Sequence, residues 1–341
     1  MGRIITFGEI MLRLEPNGFQ RFFQCEQLQA TFGGAEANVV VSLANFGEDT
    51  AFVTKVPSHA IGQGCINSLR SFGVDTSLIK RGGERMGIYY LEKGANQRPS
   101  ICIYDRAGSS ISQADKSEFI WEEIFKGADW FHFTGITPAL GPNLTEICKL
   151  ACKTAKNMNI TVSCDLNYRS KLWSAEQAKS AMTELCPYVD VCIANEEDAK
   201  NIFGIEAKNT DIGTGKISNS GYVEVAAKLQ ELFDFSYVAF TLRRSYSATV
   251  NDWSGLLFNG RDVCSSKVYH IDNIVDRVGG GDSFGAGLIY ALRHGFDMQT
   301  TVDFAVASSV LKHSIEGDFN RVGLDDVQRL LGGDESGRVQ R

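Results

Sequence analysis

The chain has 341 residues, of which 43% are apolar and 22% charged, and a formal net charge of −7; this composition predicts one large globular domain with a substantial core. An acidic balance without any run of five basic residues argues against a nucleic-acid or anionic-membrane partner and for a small molecule. No stretch approaches the ~18 apolar residues of a membrane span, and Met1-Gly2-Arg3-Ile4-Ile5-Thr6-Phe7-Gly8 is too short an apolar run for a signal peptide, so a cytoplasmic protein is expected.

In chain order, Ile4–Gly8 reads as a first core strand. Helices are expected from about Ala35 to Phe46, with Val39, Leu43 and Phe46 on one face, and from Ile61 to Phe72. Trp130–Thr134, Thr161–Asp165, Val189–Ala194 and Tyr237–Leu242 are short β-rich runs of central-strand type. Helical patterns at Asn143–Asn157, Ala175–Leu185, Val223–Leu232, Ser283–Arg293 and Thr301–Ser314 separate or follow them. This alternation predicts an α/β fold, doubly wound, with a mostly parallel sheet and helices on both faces. Gly18–Phe32 and Met86–Tyr104 break it, because their strand-like runs, Gly87–Glu92 and Ser100–Tyr104 among them, have no helix between. They predict a small antiparallel β lid, and exposed lid strands predict a homo-oligomer. The expected organisation is therefore one domain over 1–332 with lid segments at about 15–33 and 86–110, a polar loop over Lys208–Gly221, and a disordered tail over 333–341.

Nine cysteines, odd in number and scattered, indicate buried thiols rather than a disulfide framework. Cys148 and Cys152 lie four apart on an expected helix, but no Cys or His stands around them at zinc spacing, and none of the five histidines is an evident catalytic residue.

The most informative stretch is Asp276-Arg277-Val278-Gly279-Gly280-Gly281-Asp282-Ser283-Phe284-Gly285-Ala286-Gly287, three glycines and a carboxylate at the mouth of an apolar helix. Glycines let backbone N–H groups converge, and a helix start adds unsatisfied donors and a positive dipole end. A carboxylate there repels phosphate but suits a base that deprotonates an attacking hydroxyl. The competing reading is a glycine turn with Asp282 as an ordinary N-cap. The nucleotide fingerprints Gly-x-x-x-x-Gly-Lys-Ser/Thr and Gly-x-Gly-x-x-Gly are both absent, so phosphate handling needs another architecture.

A second glycine site, Phe32-Gly33-Gly34-Ala35-Glu36-Ala37-Asn38, leads straight into a helix. The two sites together resemble the two signatures of the ribokinase-like (PfkB) carbohydrate kinases, one beside the sugar and one beside the phosphate, and the resemblance runs from Gly8-Glu9 to about Leu331. Within the family, Gly8–Leu14, Asp165–Arg169 with Leu172-Trp173, and Lys312–Asn320 are most similar to 2-keto-3-deoxygluconate kinases.

The resemblance implies an ATP-dependent kinase that phosphorylates the primary hydroxyl of a sugar acid, with Asp282 as base and Gly279, Gly280 and Gly281 around the transferring phosphate. It implies a substrate pocket of Gly34, Asn38, Tyr89, Tyr104, Arg106, Arg169 and Asp318. A sugar acid needs a planar cation, and Arg106 ends a lid strand while Arg169 follows a core strand at its C-terminal edge. On the nucleotide side it implies Asn195, Thr241, Gly279 and Gly281, with Mg²⁺ and its waters organised by an Asn-x-x-Glu that reads Asn195-Glu196-Glu197-Asp198 here, so that Glu197 and Asp198 are expected to reach it through water. Three departures stand out: Arg243-Arg244 where many relatives carry glycines, with Arg243 expected to supply charge to the nucleotide phosphates instead, Asp198 one methylene shorter than the usual Glu, and Gly280 in place of the usual alanine. A fructokinase or other sugar kinase is the alternative within the class, and a non-catalytic sugar sensor the alternative outside it.

Overall fold

A computed structural model of the chain describes residues 1–206 and 219–333. Its strands are β1 (Arg3–Phe7), β2 (Met11–Glu15), β3 (Gln29–Gly33), β4 (Thr50–Val53), β5 (Lys55–Val56), β6 (Lys80–Arg81), β7 (Ile88–Glu92), β8 (Ile101–Asp105), β9 (Ala128–Thr134), β10 (Thr161–Asp165), β11 (Val191–Ala194), β12 (Tyr237–Ser245), β13 (Asn251–Phe258), β14 (Val263–Ser265) and β15 (Tyr269–Ile271). Its helices are α1 (Ala35–Asn45), α2 (Ala60–Arg70), α3 (Trp121–Ile124), α4 (Pro142–Asn157), α5 (Ala175–Leu185), α6 (Glu196–Phe203), α7 (Asn219–Phe233), α8 (Gly280–Arg293), α9 (Met298–Lys312) and α10 (Leu324–Leu331).

The main sheet runs β4-β1-β9-β10-β11-β12-β13-β14. Its first six strands are mutually parallel, and β13, β14 and β15 add an antiparallel edge. Alternate side chains serve opposite faces. Ile5, Phe131 and Val162 join Leu144, Ile147, Met182 and Leu229 of α4, α5 and α7. Ile4, Trp130 and Ile193 join Val39, Leu43, Phe284, Leu288 and Phe304 of α1, α8 and α9 on the other face. The doubly wound expectation holds, with a core on each side of the sheet.

The nine cysteines are free thiols. Cys148, Cys152, Cys164, Cys186 and Cys192 share the first core without exposed surface, and burial pushes each thiol's pKa up. Among the described residues no helix is long and apolar enough to cross a membrane.

A separate four-stranded sheet, β3-β2-β7-β8, forms the lid. It differs from expectation in two respects. It begins at Met11 rather than at about residue 15, and only the outer pairings are antiparallel. The central β2–β7 pairing is parallel, because both strands leave the core side by side; Leu12 N–H donates to Gly87 O at 2.9 Å. Of Gly18–Phe32, only residues from Gln29 onward are strand. The polar loop expected over Lys208–Gly221 lies outside the described residues except for 219–221, which open α7. The tail expected over 333–341 also lies outside them, apart from Gly333.

Candidate functional site

The C-terminal ends of the parallel strands face the lid across a cavity of about 1730 Å³, where open α/β sheets place their ligands. Gly34, Asn38, Tyr89, Tyr104, Arg106, Arg169, Asn195, Glu197, Thr241, Arg243, Gly279, Gly280, Gly281, Asp282 and Asp318 all line it. Of the residues singled out from sequence, Asp198 alone is off the wall.

Gly279, with φ 85°, is the N-cap of α8, and Asp282 lies in the first helical turn. The N-cap reading of Asp282 is therefore excluded. Its Oδ2 accepts a hydrogen bond from Asn38 Nδ2 at 2.6 Å, so the two glycine sites meet across the cavity. Burial raises the Asp282 carboxyl to about 6, opposed by the Asn38 hydrogen bond and reinforced by the charge of Asp318, while Arg169 and Lys312 pull it down. A carboxyl poised near 6 is ionised at neutral pH yet basic enough to take a hydroxyl proton.

The three glycines are not equivalent. A side chain at Gly279 would collide with the carbonyl oxygen of Asp318, in a left-handed backbone that already favours glycine. A Cβ at Gly280 would press on the His313 ring at 3.0 Å, and one at Gly281 would meet nothing within 4 Å. The Gly281 backbone thus faces open space at a helix start, whose first N–H groups have no intrahelical acceptor.

On the lid side, Tyr89 and Arg13 converge on one oxygen of Asp318, Tyr89 through its hydroxyl and Arg13 Nη1 at 2.7 Å. Arg106 is an ion-pair partner of Glu9, with Nε donating to Oε2 at 2.8 Å, and its guanidinium lies 5.6 Å from the centre of the exposed Tyr104 ring. Arg169 is exposed and donates to the carbonyl of Tyr168 at 3.0 Å. Among the described residues it has no carboxylate partner. Gly34 packs so closely on the Glu9 carbonyl that a Cβ there would collide with it. The Glu36 carboxylate anchors the first turn of α1, accepting from Thr134 N at 2.9 Å, Thr134 Oγ1 at 2.8 Å and Thr137 Oγ1 at 2.7 Å; burial lifts it to about 7.

At the opposite end, Asn195 caps α6, its Oδ1 accepting from Glu197 N and Asp198 N. Asp198 answers through Oδ2 to Asn195 N at 3.0 Å and spends Oδ1 on Tyr168 N at 2.9 Å. Both its oxygens accept from backbone, and its side chain is buried off the cavity wall. Glu197 is exposed on the wall, and Asp165 lines it beside Asp198, its carboxyl held well above the usual range by burial and by the charges of Asp198 and Asp282. Among the described residues no three His, Cys, Asp or Glu are grouped to hold a metal directly. Carboxylates reached through water nonetheless suit hydrated Mg²⁺, which sheds its water reluctantly. Arg243 is exposed, and Arg277 Nη2 donates to Ala248 O at 2.6 Å.

Sequence reasoning gave no role to Glu9, Arg13, Asp165 or Lys312. Glu9, Asp165 and Lys312 stood inside the stretches that carry the resemblance, and so did Arg13, but their partners lie up to 305 residues away, which no local pattern reports.

Residues 1–318 match the pfkB family carbohydrate kinases. The chain is 33% identical over 334 residues to 2-dehydro-3-deoxygalactonokinase of Haloferax volcanii, covering 98% of each chain. It is 25% identical to 2-dehydro-3-deoxygluconokinase of Bacillus subtilis over 96% of this chain and 93% of that one. The solved structure of 2-dehydro-3-deoxygluconokinase from Thermotoga maritima superposes with a TM-score of 0.94 at 47% identity, over 98% of this chain and 100% of that one. "Dehydro" and "keto" denote the same carbonyl in these names. A carboxylate beside a glycine helix mouth, a lid over a sheet-edge cavity and a match across nearly the whole length agree: the chain belongs to the pfkB family of carbohydrate kinases and is an enzyme that phosphorylates a sugar with ATP.

Proposed function

We propose that this kinase acts on a 2-keto-3-deoxy sugar acid, 2-keto-3-deoxygluconate in the first instance, and produces its 6-phosphate. The observation that carries the reading is Arg169, a guanidinium on the cavity wall with no ion-paired carboxylate among the described residues, close enough to Asp282, Asp165 and Asp198 to lower their pKa values. A free planar cation beside the base selects a substrate that brings an anion. The Haloferax relative's name supports the galactonate isomer as a second reading, while the Thermotoga structure supports gluconate.

In the proposed reaction Asp282 takes the proton of the primary hydroxyl as its oxygen attacks the γ-phosphorus. The bond to the β-phosphate oxygen breaks, and ADP leaves. Backbone N–H groups at Gly279–Gly281 and the dipole of α8 receive the negative charge on the transferring group. Mg²⁺, when bound with the nucleotide, would neutralise phosphate charge, with Glu197 and Asp198 touching it through water. Asn195, Thr241 and Arg243 would flank the nucleotide, and Gly34, Asn38, Tyr104 and Arg106 the sugar, with Tyr89 and Asp318 at its back. Closure of the lid excludes water as a competing acceptor. Such an enzyme works where ATP is, in the cytoplasm. The outer lid strands β3 and β8 have one strand neighbour each, and Phe19, Phe23 and Ile103 are 49%, 77% and 50% exposed; a second copy of the chain is their proposed cover.

The test is ADP release from ATP with Mg²⁺ across 2-keto-3-deoxygluconate, 2-keto-3-deoxygalactonate, fructose and ribose. The acids should exceed the neutral sugars in kcat/KM by at least ~10-fold, the scale of one charge-assisted hydrogen bond. Equal values for fructose and the acids would remove the sugar-acid assignment.

A further inference from the structure

Immediately behind the glycine strap that receives the phosphate in the reading above, the protein buries three carboxylates. Asp276 Oδ1 accepts Val278 N–H at 3.0 Å and its Oδ2 accepts Gly317 N–H at 3.2 Å. Asp318 packs its carbonyl oxygen against Gly279. Glu15 completes the group from β2. Taken alone, this surrounding would repel the phosphate that the strap must hold. Two buried cations offset it. Arg13, without exposed surface, reaches all three acids: Asp318 at 2.7 Å, Glu15 at 2.6 Å, and Asp276. Lys312, equally buried, donates to Ile315 O at 3.0 Å and would lie 3.3 Å from a Cβ at Gly279. The formal sum is 2 − 3 = −1, and without Arg13 it becomes 1 − 3 = −2.

We propose that Arg13 is a positioning residue for phosphoryl transfer: a cation carried by the lid strand β2 that neutralises the acids behind the strap and so lets Gly279–Gly281 accept the developing charge. A buried ion network is weak evidence for stability, since apolar residues of equal volume do as well. What those replacements could not supply is charge compensation at this place. The placement also makes the strap's electrostatics depend on the lid, because Arg13 and Tyr89 belong to β2 and β7 while Asp276 and Asp318 flank α8 and α9. The inference rests on the phosphate-stabilising reading of the strap.

The test compares Arg13→Gln, Arg13→Lys and the double variant Arg13→Gln with Glu15→Gln, on whichever sugar acid the wild type phosphorylates best. Arg13→Gln should lower kcat by at least ~10-fold, less than the about 10²–10³-fold that removing a direct donor costs. Its acid limb of kcat should move to higher pH, because Asp282, faced by Asp318, Asp165, Arg169 and Lys312, would then ionise in more negative surroundings. The double variant restores the formal sum to −1 and should recover most of kcat and return the limb; Arg13→Lys should fall between. A kcat within twofold of wild type in Arg13→Gln overturns the proposal, as does a loss that Glu15→Gln leaves unrelieved with the limb unmoved. Should Arg13→Gln not fold, Lys312→Met removes the other cation and must produce the same loss and limb shift, or the proposal falls. Asp282→Asn on the same assay separates the two ideas: if it retains turnover, the proposed reaction with Asp282 as base fails, whereas an inactive Asp282→Asn beside an unaffected Arg13→Gln removes only the role of Arg13.

Discussion

At the end of the cavity proposed for the sugar, Arg106 is held by Glu9, Tyr89 by Asp318 and Asn38 by Asp282, whereas at the end proposed for the nucleotide Arg243 is exposed with no carboxylate partner among the described residues. Groups already paired lose little freedom when a ligand arrives, and they reject one that leaves them unpaired. An open cation attracts any polyphosphate and yields to salt. One end is thus built to choose, and the other to attract. Arg169 is the exception at the choosing end, which is why it is the residue assigned to the substrate's carboxylate.

The largest effect expected is at the point where the two ends meet. Asp282→Asn keeps the shape but cannot take a proton, so kcat should fall by at least ~10²-fold while calorimetry finds sugar binding nearly intact. Retention of more than about a third of kcat would end the assignment of Asp282 as base.

The contrast between held and free arginines gives the next. Arg169→Ala should raise KM for the sugar acid by about tenfold or more, since a lost charge-assisted bond is worth roughly 1.5–3 kcal/mol, and should shrink the preference over fructose. Arg106→Ala strips Glu9 of its cationic partner and leaves it the Ser109 hydroxyl alone among the described residues, so hydrogen exchange over 86–110 should accelerate in that variant and not in Arg169→Ala. Identical exchange in the two would mean that the Arg106–Glu9 pair does not hold the lid.

The third is a pH profile. Burial holds the Asp282 carboxyl near 6, so the base is ionised above that value and protonated below it. Activity should therefore drop towards tenfold per unit as pH falls below about 6; a flat profile down to pH 5 would contradict it. The smallest effect is on salt: raising ionic strength should increase KM for ATP, and Arg243→Ala should blunt that dependence, while KM for the sugar changes less.

Much of this was legible in the sequence. Long apolar and periodic runs such as Trp130–Thr134 and Asn143–Asn157 lie where the pattern puts them, in β9 and α4, because such runs are decided by their own burial. The lid was harder. In Met11-Leu12-Arg13-Leu14-Glu15 the alternation would point the leucines inward, yet Arg13 and Glu15 are buried and the leucines only half so. The face of β2 is decided by Asp276 and Asp318, about 260 and 305 residues on, and not by hydropathy. The same holds for Asp282, whose bond to Asn38 comes from the packing of α1 on α8.

The five thiols under the sheet give this half of the molecule a chemical clock. Only thiolates react readily with alkylating reagents, and Cys148, Cys152, Cys164, Cys186 and Cys192 are both shut away and held as thiols. Their modification requires the layer of α4 and α5 to part from the sheet. Cys25, Cys102 and Cys264, half-exposed, should label before the buried thiols, so the slow phases that follow, one of them from Cys65 in the separate core beside α2, time the breathing of the cores without any engineered probe. Cys102 lines the cavity, and the slowing of its own rate reports the fraction of sites a substrate occupies.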